Sequence, residues 1–143
     1  MNKFIGVLAL LLSVVGYWSL GQTPEVSQQE AIRVAEAFVQ DNGYTSKPAR
    51  SATLHYELLD AYAKDAGTIL KARSNTLHPN AFCIAEDPES WHVGFLLTRV
   101  SFSTLSAGQK QADLAGRVVM VNKRDKTVKM AHKDPLFSHF KKL

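Results

Sequence analysis

The sequence predicts an α+β domain, with N-terminal helices packed on a curved antiparallel sheet of about four strands. Three observations predict it. Apolar residues recur every three to four positions between residues 28 and 41, the spacing of one helical face. In the second half the period falls to two, with Trp91, Val93, Phe95 and Leu97 alternating with His92, Gly94, Leu96 and Thr98. The last two apolar runs flank a polar turn, which makes them an antiparallel hairpin. Helices first and a meander of strands afterwards is the α+β order.

The chain has 143 residues. Met1-Asn2-Lys3 is a short positive start, and Phe4 to Trp18 carries no charge. Ser19-Leu20-Gly21 then offers small residues where a signal peptidase reads. This is the order of a secretory signal peptide, residues 1–21. Residues 22–143 remain as a single domain of about 120 residues, a common domain size. The expected location is periplasmic or secreted; with an uncleaved leader the chain would be membrane-anchored through Tyr17 and Trp18. A hydrophobic content of 45% with 21% charged residues excludes a disordered chain. The net charge of +4 lacks the dense basic stripe of a nucleic-acid binder, so no nucleic-acid partner is expected. It gives a mild preference for an acidic partner. A lone cysteine, Cys83, excludes an internal disulfide and reads as a small core residue.

Ser27-Gln28-Gln29-Glu30 is a capping box that opens the first helix, residues 28–41. Ile32, Ala35, Phe38 and Val39 form its apolar stripe, and Asn42-Gly43 ends it. Residues 52–73 fit helix or strand, although Ala61, Ala63 and Lys64 favour helix. Gly67 marks a break before a short helical stretch containing Ile69, Leu70 and Arg73. Arg73 to Asn80 reads as a polar loop. Strands follow at residues 81–85, 91–98, 117–121 and 127–132, with 103–112 as a connection and 122–126 as the hairpin turn. Phe137 to Lys142 reads as a frayed, basic tail whose two aromatics could instead dock on the domain.

The residue types for chemistry do not assemble into a catalytic signature. The five histidines form no i,i+4 pair, so no metal and no cofactor are expected. Ser101, Ser103, His92 and Asp113 lack a strained nucleophile turn. Tyr56, Glu57, Asp60 and Asp65 could serve as acid or base at the rim of an apolar cone, or be solvated charges on a helix face. No catalytic residue is assigned, and the protein is not expected to be an enzyme. For binding, Arg73, Asn75 and His78 gather a guanidinium, an amide and an imidazole in one loop, which suits a polar or acidic group. Trp91 is either a core anchor or a contact residue. On this reading Arg73→Ala and Asn75→Ala leave stability nearly intact and weaken partner binding.

Three stretches carry a family resemblance: Val26 to Glu36 with its EAI..AE pattern, Trp91-His92-Val93-Gly94-Phe95, and the hairpin from Gly116 to His132. In that order the chain resembles bacterial immunity proteins of the nuclear-transport-factor-two-like fold, with a longer segment at residues 44–90. The curved sheet is expected to be cone-like or cystatin-like. The resemblance implies a non-enzymatic protein that binds and neutralises a partner toxin, here outside the cytoplasm; the toxin-binding surface is not set by the motif. Two other readings stay open: a small-ligand-binding or isomerase-type cone domain, and a structural component of the envelope.

Overall fold

A computed structural model describes residues 24–47, 49, 54–55, 65–73, 76–100, 114–131 and 137–143. The leader at 1–21, most of the ambiguous stretch at 52–64, Asn75 and the connection at 103–112 lie outside them. Among the described residues no helix is long and apolar enough to cross a membrane.

Helix α1 spans Gln28–Asp41. Ser27 caps it by accepting the Glu30 amide at 3.2 Å. The Glu30 carboxylate is engaged by Lys126 Nζ at 2.7 Å, and this hydrogen bond holds its carboxyl below the ordinary range. Ala31, Ala35, Phe38 and Val39 are buried, as the periodicity requires. The helix ends in a Schellman motif: the Gly43 amide donates to Gln40 O and the Tyr44 amide to Val39 O. Gly43 has φ +78°, and a Cβ there would lie 2.5 Å from Leu70 Cδ2. Gly43→Val is therefore expected to cost about 1–3 kcal/mol, through positive-φ strain and collision with Leu70. An unchanged melting temperature would remove this cap from the account.

Helix α2, Ala66–Arg73, begins where Asp65 accepts the Thr68 amide and hydroxyl. Gly67 thus lies inside the first turn rather than before it. The backbone bond from Thr68, then its hydroxyl, hold the Asp65 carboxyl below its usual range. Asp65, a candidate acid or base from sequence, is here a helix cap.

Among the described residues the sheet is antiparallel and has five strands in the order β4-β3-β2-β1-β5. They are β1 Cys83–Glu86, β2 Ser90–Leu96, β3 Gly116–Asn122, β4 Val128–Met130 and β5 Lys141–Lys142. Contacts of α1 concentrate on β2, β3 and β4. Beneath it Ile84, Val93, Phe95, Val119, Val121 and Met130 form the main core. The opposite face carries a second core of Phe82, Cys83, Leu96, Leu114, Val118 and Phe137. The sheet is thus covered on both faces, not only under the helix.

The fifth strand corrects the expectation of about four strands and a frayed tail. Phe137 is fully buried, in a short 3₁₀ turn Phe137–His139, and β5 pairs Lys142 with Cys83 and Lys141 with Ile84. The reason lies in two strand glycines. A Cβ on Gly94 would come within 2.6 Å of the Phe137 ring, and one on Gly116 within 2.8 Å. Missing side chains make the bed in which the tail aromatic lies. Phe82 and Phe140 meet the same ring edge-on, at centroid distances of 6.4 and 5.4 Å.

Cys83 is wholly buried in this second core, and burial pushes its thiol up to about 12. It should stay unlabelled by a soluble maleimide until the protein unfolds. Fast labelling of the native protein would contradict the packing of the tail.

Candidate binding site

The segment read as a polar loop, Arg73 to Asn80, is tied into the core. Leu77 is buried and bridges to Leu97, and its amide donates to Tyr44 O at 2.8 Å. Thr76 Oγ1 reaches both Tyr44 O and Arg73 O. The apolar Leu77 is the sequence signal for this docking, and its polar neighbours mask it.

Arg73 is only 4% exposed. Its guanidinium donates to Asn42 O at 3.3 Å and His55 O at 3.0 Å, and its Cζ stands 4.5 Å from the centre of the Tyr44 ring. It joins the end of α1, the start of the following segment and the end of α2. Asn42 reinforces the same junction, since its Nδ2 donates to Phe38 O and its Oδ1 accepts the His55 amide. This burial reverses the expectation that Arg73→Ala spares stability. His78 is half-buried, with Nε2 2.9 Å from Val100 O, and its amide donates to Leu96 O. Asn75 lies outside the described residues. Arg73 thus turns to Asn42 O and His55 O, and His78 to Val100 O.

Trp91, the fourth candidate, lies elsewhere. It packs half-buried against the main core, and its Nε1 donates to Val26 O at 2.7 Å. The Val26 amide in turn donates to Lys123 O at 3.0 Å, so the strap before α1 is held on the ends of β2 and β3. Lys123 is buried. Its Nζ lies 5.1 Å from the centre of the Trp91 ring and 2.6 Å from Glu86 Oε1. Charge pairing and the ring face together offset its desolvation.

Beside this cluster an open hollow of about 460 Å³ is lined by Gln28, Ile84, Glu86, Trp91, His139 and Lys141, with Ala85 at its edge. Among the described residues α1 packs over β2, β3 and β4, and the hollow lies at the β1 side of that face. Its lining combines an aromatic surface, an acid, an exposed ammonium and an exposed imidazole. Glu86 could have been found from sequence, since Asp87-Pro88 marks a hairpin that sets it opposite Trp91. His139 and Lys141 could not, because only the docked tail brings them there.

A second open hollow, about 390 Å³, lies on the opposite face and includes Asp87, Glu89, Ser90, Asn122 and Lys129. Asp87 organises the β1–β2 turn: Oδ1 accepts the Glu89 and Ser90 amides, and Oδ2 lies 2.6 Å from His92 Nε2. Partial burial raises the Asp87 carboxyl, but those two amides and His92 outweigh it and hold it below the ordinary range. The pair orients His92 and fixes the turn. Among the described residues no three His, Cys, Asp or Glu side chains come together as metal ligands.

Fold and site define a two-faced α+β domain with an aromatic, mixed-charge hollow at one sheet edge. Comparison with known proteins finds no matching family model, no matching curated protein and no matching solved structure.

Proposed function

We propose that this chain is an exported, non-enzymatic binding protein that neutralises a partner toxin, in the cone-like layout of the nuclear-transport-factor-two-like immunity proteins. The observation that carries this reading is the Trp91 hollow. An aromatic ring held by its own indole bond is a rigid anchor that loses little entropy when a partner covers it. The exposed Lys141 and His139 beside it can pair with a partner without stripping water from a buried charge. The signal-peptide order of residues 1–21 supports action outside the cytoplasm.

The test is capture with the exported full-length protein from envelope and secreted fractions of its own cell. The expected result is one stoichiometric partner that stops growth when expressed alone and is silenced by this chain. A partner harmless on its own would overturn the toxin reading. No partner, together with a melting shift from a small-molecule screen, would replace it with the ligand-binding reading.

A further inference from the structure

Positive charge gathers around one ring at the far end of the main core face from Trp91. Positions 117, 119 and 121 of β3 share a face, and Val119 and Val121 lie in the main core. Arg117 therefore stands on the main core side of the sheet. It lies opposite Phe95, whereas Val121 lies opposite Trp91. Four residues of strand, about 13 Å, separate the two ends.

Tyr44 is buried here, and two guanidiniums approach its ring. Arg73 Cζ stands 4.5 Å from the ring centre and Arg117 Cζ 5.6 Å. The two arginines differ in what else they hold. Arg73 is buried and donates to Asn42 O and His55 O, which fixes its position. Arg117 is half-buried, and among the described residues its guanidinium makes no hydrogen bond and no ion pair. His55 adds an exposed imidazole nearby, its ring 5.7 Å from that of Phe38. The quadrupole of one ring offsets only part of the cost of bringing two full charges together. An oxyanion with two oxygens in one plane matches the guanidinium fork and lowers the repulsion between the two cations.

We infer that this end of the main face binds a small oxyanion, a carboxylate or phosphate group, through the fork of Arg117. Arg117 donates to two of its oxygens, Arg73 adds attraction from a fixed position, and the Tyr44 ring steadies the Arg117 guanidinium. The site goes beyond the partner-binding reading above and does not depend on it.

The experiment uses the full-length protein and two probes, inorganic phosphate and citrate, each set against sodium chloride at equal ionic strength. Affinity is read by calorimetry, and the Arg117 Nε–H resonance is followed by NMR. Both probes should bind, raise the melting temperature above the chloride control and move the Arg117 resonance. Affinity should fall about tenfold in Arg117→Gln, which removes the charge and the fork together. Arg117→Lys should fall between, since it keeps the charge alone. Tighter binding of citrate assigns the site to carboxylates, and tighter binding of phosphate assigns it to phosphorylated ligands; either upholds it. Should Arg117→Gln fail to fold, the Arg117 resonance of the parent protein and the Arg117→Lys affinity decide. An effect matched by chloride, an unmoved Arg117 resonance, or affinity unchanged in Arg117→Gln would overturn the inference. Capture of the toxin partner is a separate measurement, so either reading can fail alone.

Discussion

Phe137→Ala is expected to lower the unfolding free energy by about 3–5 kcal/mol, the range for deleting a fully buried phenylalanine ring. The ring is 0% exposed, and its floor is made of Gly94 and Gly116, which have no side chains to move into the space. Neighbouring side chains cannot collapse far, so the cavity term stays large. Denaturant unfolding measures the loss. Cys83 gives a local readout, since its thiol lies in the same core and should become reactive as the tail loosens. Phe137→Leu should lose less, because a branched aliphatic chain fills part of the bed. A variant as stable as the parent, with Cys83 still protected, would mean that the tail does not dock.

Arg73→Ala carries the second large effect, about 2–4 kcal/mol. Deletion leaves the buried Asn42 carbonyl without its guanidinium donor, and a buried acceptor left unmade costs about 1–3 kcal/mol, while the His55 carbonyl, on an exposed residue, loses a part-buried bond. The aliphatic stem and the face-on contact with Tyr44 are lost as well. Arg73→Lys should restore little, since one ammonium cannot span two carbonyls with the geometry of a planar fork. Unchanged stability, with weakened partner capture, would return Arg73 to the binding role its sequence neighbourhood suggests. Stability and capture falling together would place it in the scaffold.

Much of the secondary structure is legible in the sequence because its determinants are local. The cap at Ser27, the apolar stripe through Phe38 and the stop at Asn42-Gly43 give α1 from short-range spacing alone. The polar run after Asn122 gives the β3–β4 hairpin in the same way; there Asn122 Oδ1 accepts the Arg124 and Asp125 amides. Of the residues that line the hollow, Trp91 is the one the sequence singles out. At Arg73 and His78 a run of polar residues reads the same whether its groups face water or backbone carbonyls. Only the positions of Asn42, His55 and Val100, distant in sequence, distinguish the two.

By itself the sequence determined the α+β class, helix α1 and the antiparallel order of the central strands, because period and turn chemistry act within a few residues. The tertiary structure alone decided that the tail is a strand, that Arg73 is buried and that His139 and Lys141 stand near Trp91. Each of these depends on a contact between residues far apart in the chain. Gly94 and Gly116 reveal their purpose only when Phe137 arrives to fill the space they leave.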